Sequence, residues 1–363
     1  LVRNGGDVYL SNKPADYILD RDLADNAIQW LHTQKAAAPD KPFFIYFAPG
    51  TAHSPHQAPA DWIAKFRGRF DRGWDAVRRD TFAREKALGI IPANADLTSR
   101  PDVIPDWDSL SAEEKRVQAR AMEVFAGMLA FQDAQFGRLL DEIDRMGIAD
   151  NTLIMFVEGD NGGTPEGGLH GELNEGGVMA NGLDEPVSEM AARLDQMGGP
   201  NTMGKYSVGW GWATNSPFQW TKQVASHLGG TRNPLVVVWP GHVPAGGSVR
   251  GQYTYVADIY PTLLEAAGVP VPAEVEGARQ QPLDGISFAY SFAQPSAASQ
   301  RTQQIYELFG NRAIYDDGWL ANTRPKRLPW YYGPTSGSPL DYQWELYYLP
   351  DDYSQAHDIA AKH

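Results

Sequence analysis

The order of segments along the chain constrains the fold most strongly, because short, continuously apolar runs follow stretches with helical spacing. Residues 20–34 (DRDLADNAIQWLHTQ) place apolar side chains on one helical face and precede the run KPFFIYFAPG, and a long amphipathic stretch precedes NTLIMFVEGDNGG at 151–163. A third run is PLVVVWPG at 234–241. Helices that alternate with short buried strands are typical of an α/β protein whose mainly parallel sheet is flanked by helices.

Local signals set several element boundaries. Ser111 and Glu114 have capping-box spacing before the long amphipathic stretch, and Gly147 is its predicted end. Within a polar stretch punctuated by Trp and Pro, residues 74–88 predict one helix. Residues 174–214 are rich in Gly, Met and Asn with little periodicity, so we expect a long functional or mobile loop there and no buried element.

The C-terminal part has a different pattern. A helix is predicted from Asp258, as N-cap, to Gly268, and the Pro, Ala, Ser and Gln stretch at 294–304 is typical of a linker. Short aromatic runs separated by turn residues follow and predict antiparallel strands. We therefore expect an α/β domain over 1–295 and a small α+β subdomain over 296–363.

Composition narrows the classes of function. With 363 residues and 42% hydrophobic content, the chain can bury a sizeable core. A formal charge of -14 argues against nucleic acid or an anionic membrane as partner, because both are bound by basic surfaces. The absence of Cys excludes disulfides and cysteine metal sites in this chain, and no apolar window reaches the roughly 18–20 residues of a membrane span.

Asp160 and Asn161 follow the second apolar run directly. In open α/β sheets, ligands bind outside the carboxyl ends of strands. A carboxylate beside an amide offers hard oxygen ligands suited to Ca²⁺ or Mg²⁺. The alternative interpretation is an Asx turn that ends the strand.

Two further segments carry polar side chains beside predicted strand ends. His53 and His56 follow the first apolar run, where histidine can act as a general acid at neutral pH. Lys222 and His227 precede the third run beside a Gly-Gly turn, and ammonium and amide groups stabilise oxyanions. Ordinary surface histidines and a solvated basic loop are the alternatives. Convergence of the three segments at one sheet edge would suit hydrolysis of a phosphate or sulfate ester.

The chain resembles the type I sulfatases of the alkaline phosphatase superfamily, and in particular the large bacterial arylsulfatases. The resemblance rests on collinear segments that include HSPHQAPADWIAKFRGRFDRGWDAVR, DNTLIMFVEGDNGGTPEGG, SHLGGTRNPLVVVWPG and ELFGNRAIYDDGW. It implies the alkaline-phosphatase-like sulfatase fold. It also implies the hydrolysis of a small-molecule sulfate monoester.

The resemblance implies roles for individual residues. Asp160 and Asn161 match two calcium ligands, and Asp160 also touches the nucleophile. His53 matches the histidine that contacts the sulfate and assists the leaving group, and Lys222 matches the lysine that binds the sulfate oxygens. His227 lies in a matching segment and is therefore a candidate for contact with the substrate.

One part of the family pattern does not occur in this sequence. The family nucleophile is a formylglycine made from a Cys/Ser-x-Pro-x-Arg motif that follows a strand with two further Asp ligands. The nearest string, TRPKR at 323–327, begins with Thr and lies far downstream. We therefore expect the chain to be the middle and later part of a longer sulfatase, with half of a calcium site.

Three functions remain open on the sequence. The first is an arylsulfatase that uses Ca²⁺, with Mg²⁺ as the alternative ion. The second is a phosphate or phosphonate ester hydrolase of the same superfamily, and the third is a non-catalytic sulfatase-like binding protein. Members of the family are often exported, so a periplasmic or secreted location is compatible with the resemblance, but the sequence itself defines neither the compartment nor the oligomeric state.

Overall fold

The computed structural model describes residues 2–7, 9, 11, 13–14, 16–331 and 337–363. The helices are α1 (Leu19–Ala37), α2 (Ala60–Ala64), α3 (Gly73–Ala87), α4 (Ala112–Arg145), α5 (Glu175–Asn181), α6 (Val187–Ala192), α7 (Val208–Thr214), α8 (Leu228–Thr231), α9 (Ile259–Ala266) and α10 (Tyr290–Ala293). The strands are β1 (Val2–Arg3), β2 (Gly6–Asp7), β3 (Ile154–Val157), β4 (Leu235–Val238), β5 (Glu274–Val275), β6 (Ala278–Arg279), β7 (Gln303–Leu308), β8 (Asn311–Asp316), β9 (Trp319–Thr323) and β10 (Trp344–Tyr348).

The chain forms two compact units. Unit 1 comprises Leu1–Trp74, Pro105–Ala149 and Glu166–Trp210, and unit 2 comprises Asp75–Ile104, Asp150–Pro165 and Gly211–His363. Each unit is therefore assembled from three segments that are distant in the sequence. None of the helices in the described ranges has the length and hydropathy of a membrane span.

Helix α4 is the central element of unit 1 and packs against α1, α2 and α6. The predicted capping box is confirmed, because the Glu114 N–H donates to Ser111 Oγ at 3.2 Å and the Ser111 N–H donates to the Glu114 carboxylate at 2.8 Å. The helix ends just before Gly147, whose φ of 68° is a left-handed conformation that glycine adopts readily. Start and end thus follow the local signals.

A tryptophan cluster forms part of the core of unit 1. Trp74, Trp107 and Trp210 lie edge to face, with ring centroids 4.9–5.8 Å apart. Trp210 is fully buried and its indole N–H donates to the Gln118 carbonyl oxygen at 2.9 Å. The expectation that 174–214 contains no buried element is therefore wrong. Its short helices bury side chains through distant contacts, which leave no periodic pattern in the sequence.

In unit 2, β3 and β4 form an antiparallel pair in which Val157 lies opposite Leu235. All strand ladders assigned within the described ranges are antiparallel, so the expected mainly parallel sheet is not found there. The predicted strand at 43–47, in unit 1, is not found among the strands of the described residues. Two of the three apolar runs thus form strands, but the direction of pairing depends on long-range contacts.

The predicted C-terminal strands are confirmed. They form one antiparallel sheet in the order β10-β9-β8-β7. Tyr315 and Leu320 on this sheet pack with Phe218 and Leu228 in one core cluster of unit 2. The boundary near residue 295 stays a prediction, and residues 332–336 of the predicted subdomain lie outside the described residues.

Asp258 occupies the predicted N-cap position of α9, but its carboxylate does not cap the helix. It accepts the N–H groups of Tyr255 at 2.8 Å and Ile286 at 2.7 Å, and it pairs with the Arg301 guanidinium. The pairing outweighs the effect of burial, so the pKa of Asp258 lies below its usual value. The residue joins the start of α9 to distant segments instead of closing the helix itself.

Candidate active site

The first part of the candidate site is the turn that follows β3 in unit 2. Gly159 has a φ of 79°, and Asp160 and Asn161 come directly after it. The Asn161 amide donates to the Asp160 carboxylate at 2.5 Å, and Asp160 is exposed. With the Asn233 amide oriented so that both bonds form, its side chain binds the backbone N–H and C=O of Asn161 at 3.1 and 2.9 Å. The side chain of Asn233, which precedes β4, thus holds the backbone of the turn in place.

Two glycine pairs allow close backbone approach at this turn. The Gly162 N–H donates to the Gly230 carbonyl oxygen at 3.2 Å, and a side chain at Gly162 would overlap the carbonyl oxygen of Gly229. The glycines after Asn161 and after Leu228 therefore serve one contact. They hold the segment before β4 against the turn after β3.

Lys222 is brought to the same turn by the backbone. Its N–H donates to the Gly163 carbonyl oxygen at 3.1 Å. The segment around Lys222 precedes β4, so a parallel arrangement would put it at the opposite sheet edge from Asp160. Because β3 and β4 are antiparallel, the end of β3 meets the beginning of β4 and the two segments adjoin.

The oxygen ligands of the turn are of the type that a hard cation binds, but there are too few of them to complete a site. A carboxylate and an amide are ligands that Ca²⁺ and Mg²⁺ accept, and Ca²⁺ takes about 6–8 oxygens. Across the residues that the structure describes, no group of three or more His, Asp or Glu side chains could hold a metal ion by itself. Asp160 and Asn161 can thus supply only part of a coordination shell.

His227 is buried inside unit 2 and bound by protein groups. Its Nδ1 lies 2.9 Å from Ser226 Oγ, and its Nε2 lies 3.1 Å from Glu345 and 3.2 Å from the Asn322 amide. Burial lowers the pKa of His227, although Glu345 opposes the shift. The residue connects α8 to the C-terminal sheet, and a contact between His227 and substrate stays a prediction.

His53 lies in unit 1 on the histidine loop, which we define as residues 50–58. The His53 N–H donates to the Gly50 carbonyl oxygen at 2.9 Å, and its Nδ1 lies 2.9 Å from the Ser54 carbonyl oxygen. That contact requires a proton on Nδ1. The imidazole is exposed, so it has access to a ligand.

A buried ion cluster next to the histidine loop was not predicted from the sequence. Lys205 is 1% exposed and pairs with Glu166 at 3.0 Å and Glu175 at 2.6 Å. Burial disfavours its charge, but the two carboxylates outweigh burial, so the pKa of Lys205 lies above its usual value. The sequence signal was a set of three glutamates interspersed with glycines, Glu166, Glu172 and Glu175, and acidic residues on loops are common.

His56 differs from His53 although both lie on the same loop. It is 2% exposed, and its ring packs between Phe125 and Tyr206, with centroids 5.0 Å away in each case. Burial, together with the positive charge of Lys205, lowers the pKa of His56 to about 3. The residue is therefore neutral at physiological pH and contributes to packing.

The chain has an α/β fold of the alkaline-phosphatase-like architecture that the resemblance implied. The structure of Ps i-CgsB aligns with 99% of this chain and 53% of that chain, with a TM-score of 0.56 and 20% identity. The putative sulfatase yidJ from Bacteroides fragilis aligns with 94% of this chain and 54% of that chain, with a TM-score of 0.52 and 14% identity.

The sulfatase family model matches residues 3–269, so the chain belongs to the sulfatase family. An uncharacterized sulfatase of Schizosaccharomyces pombe is 30% identical over 332 residues, which are 88% of this chain and 55% of that protein. The arylsulfatase of Klebsiella aerogenes is 29% identical over 276 residues, 76% of this chain and 56% of that protein. The chain spans about half the length of these relatives.

Proposed function

We propose that the complete protein containing this chain is an arylsulfatase that hydrolyses sulfate monoesters. The observation that supports this most strongly is the sulfatase family match over residues 3–269, which includes His53, Asp160, Asn161 and Lys222. The relative named as an arylsulfatase adds support for aryl esters as substrates. The antiparallel pairing that joins the Lys222 segment to the Asp160 turn agrees with a shared site in unit 2.

Each residue has a role in this proposal. Asp160 and Asn161 contribute oxygen ligands to Ca²⁺, with Mg²⁺ as the alternative. When bound, the cation offsets the charge of the sulfate and acidifies a coordinated nucleophile. Lys222 binds the sulfate oxygens, and His53 donates a proton to the departing phenolate oxygen. The remaining ligands and the formylglycine nucleophile come, in this proposal, from outside these 363 residues.

The proposal is tested by phenol release from an aryl sulfate by the complete protein in the presence of Ca²⁺. The Asp160→Ala variant should lose Ca²⁺ binding and activity together, because a ligand is removed. The His53→Ala variant should retain Ca²⁺ binding but turn over about 100-fold more slowly, the lower end of what a general acid contributes. Asp150→Ala, which removes an exposed acid of unit 2, is the matched control.

The other functions predict different results. Faster hydrolysis of phosphate or phosphonate esters than of sulfate esters would favour the second class of hydrolase. Binding of an aryl sulfate without turnover would favour a non-catalytic protein. An Asp160→Ala variant with unchanged Ca²⁺ affinity and turnover would remove the assignment of the site.

A further inference from the structure

In unit 1, the histidine loop is held by residues of the segment that was predicted to be a long functional or mobile loop. The His56 N–H donates to the Gly204 carbonyl oxygen at 2.9 Å, and the Ala58 N–H donates to the Gly198 carbonyl oxygen at 3.2 Å. The Gln57 amide donates to the Thr202 carbonyl oxygen at 2.7 Å. The position of the loop backbone therefore depends on residues 198–204.

A second connection runs from the same part of unit 1 to the imidazole of His53 itself. Ser54 Oγ donates to the Glu175 carboxylate at 2.5 Å and lies 3.3 Å from His53 Nδ1. The other carboxylate oxygen of Glu175 binds the Lys205 ammonium at 2.6 Å. One glutamate thus joins a buried cation to the hydroxyl group beside the imidazole.

These contacts determine which proton of His53 can move. The Ser54 carbonyl oxygen holds the proton on Nδ1, and Ser54 Oγ, oriented by Glu175, lies on the same side of the ring. A protonated imidazole bound in this way can release its Nε2 proton and keep the Nδ1 proton. The arrangement also fixes the ring orientation, and general acid catalysis depends on that orientation.

The ion cluster around Lys205 holds the Glu175 carboxylate, and through it Ser54, in a fixed position. The Lys205 side chain is 1% exposed, and Glu175 and Glu166 bind it from two segments. Charge-assisted hydrogen bonds between a buried ammonium and partly buried carboxylates are short and directional, so they hold the Glu175 carboxylate in one place. Glu166 binds the same ammonium, whereas Glu175 also accepts the hydrogen bond from Ser54 Oγ.

We propose that Glu175 is a positioning residue for proton donation by His53 and acts through Ser54, with Lys205 as its anchor. This inference rests on the proposed function, because it requires His53 to protonate the leaving group. Glu175 does not touch the substrate in this scheme. Its effect should therefore depend on how much protonation the leaving group needs.

The test uses the complete protein with two aryl sulfates whose phenols differ in acidity. Phenyl sulfate has a basic leaving group that needs the proton, and 4-nitrophenyl sulfate has a more stable one. Glu175→Ala should lower kcat about tenfold for phenyl sulfate and about twofold for 4-nitrophenyl sulfate, part of the 100-fold or greater effect of a general acid. Glu166→Ala is the matched control and should lower both rates by the same factor.

A double-variant cycle examines the route from Glu175 to His53. Ser54→Ala should reproduce the dependence on the leaving group. In the His53→Ala background, Glu175→Ala should cause no further selective loss, since residues that act through one group are not additive. If Glu175→Ala does not unfold cooperatively in thermal melts, Ser54→Ala decides the question, because it removes the same contact from the other side.

The outcomes separate the two levels of the scheme. If His53→Ala lowers both rates equally, the acid role in the proposed function is wrong and the inference falls with it. A second outcome is that the loss of kcat in His53→Ala depends on the leaving group while the losses in Glu175→Ala and Ser54→Ala do not. In that case only the positioning role is overturned. Equal losses for Glu175→Ala and Glu166→Ala on both substrates would mean that the cluster only stabilises the fold.

Discussion

Glu172 is a carboxyl group whose environment disfavours its charge. Burial raises the pKa of Glu172 to about 7, Lys205 opposes this shift, and the carboxylates of Glu175, Glu185 and Glu166 add to it. The folded protein therefore retains this proton at pH values where the unfolded chain, with a usual value of 4.5, has lost it. The resulting stabilisation is complete below about pH 4.5 and decreases as the pH rises through about 7.

A Glu172→Gln variant should remove this pH dependence, because an amide has no proton to lose. We expect the wild-type melting temperature to fall more between pH 5 and pH 8 than that of the variant, which should be higher by about 2 °C at pH 8. Thermal melts followed by circular dichroism across that range measure the difference. Glu189→Gln, an exposed change on α6, is the control, and parallel curves for wild type and Glu172→Gln would contradict the prediction.

At the scale of elements, α3 was predicted from the sequence, but its role in unit 2 was not. Arg78 on this helix is 1% exposed, and its guanidinium donates to the carbonyl oxygens of Trp212 at 2.7 Å and Phe218 at 2.8 Å and to Thr98 Oγ1 at 2.8 Å. Burial lowers the pKa of Arg78, and Glu85 and Asp75 oppose the shift. One side chain thus joins three separate segments.

Replacing Arg78 by Met should destabilise the protein by about 3 kcal/mol, because buried acceptors lose their donors. Arg78→Lys should recover only part of that loss, since an ammonium lacks the planar set of donors. Urea denaturation gives both values, with Arg79→Met as the control at the exposed neighbouring position. Equal midpoints for Arg78→Met and Arg79→Met would show that the three segments do not depend on this residue.

At the scale of the whole molecule, the chain exposes apolar side chains on a strand. Val236 and Val238 on β4 are 53% and 46% exposed, whereas Leu235 and Val237 between them are partly buried. The alternation places the exposed pair on one face of the strand. Exposed apolar faces on strands favour association with other chains.

The double variant Val236→Thr/Val238→Thr should reduce self-association of the chain, because hydroxyl groups replace exposed methyl groups while β-branching is kept. Sedimentation velocity over a tenfold range of concentration measures the association, and the melting temperature should change by less than about 1 °C. Val237→Thr on the opposite face is the control and should cost about 1 kcal/mol. An unchanged concentration dependence in the double variant would show that this face is not the contact.

The sequence was sufficient for the ends of α4 and for the C-terminal strands, where the deciding signals are local. The Ser111 capping box and Gly147 defined the ends of α4, because each signal acts within one or two turns of the helix. Short aromatic runs separated by turn residues predicted the C-terminal strands, because each run and its turns are also local signals. The collinear segments also identified the sulfatase family, and the family match over residues 3–269 confirmed it.

What only the tertiary structure decided was every feature that joins distant segments. The antiparallel direction of β3 and β4 brings the segment of Lys222 to the turn of Asp160, although parallel strands had been expected. The contact of Ser54 with Glu175 spans 121 positions in the sequence. Residue types and short-range periodicity determine which chemistry the chain carries and where the long helices form. Strand direction and buried ion pairs depend on long-range packing, and no local pattern in the sequence records them.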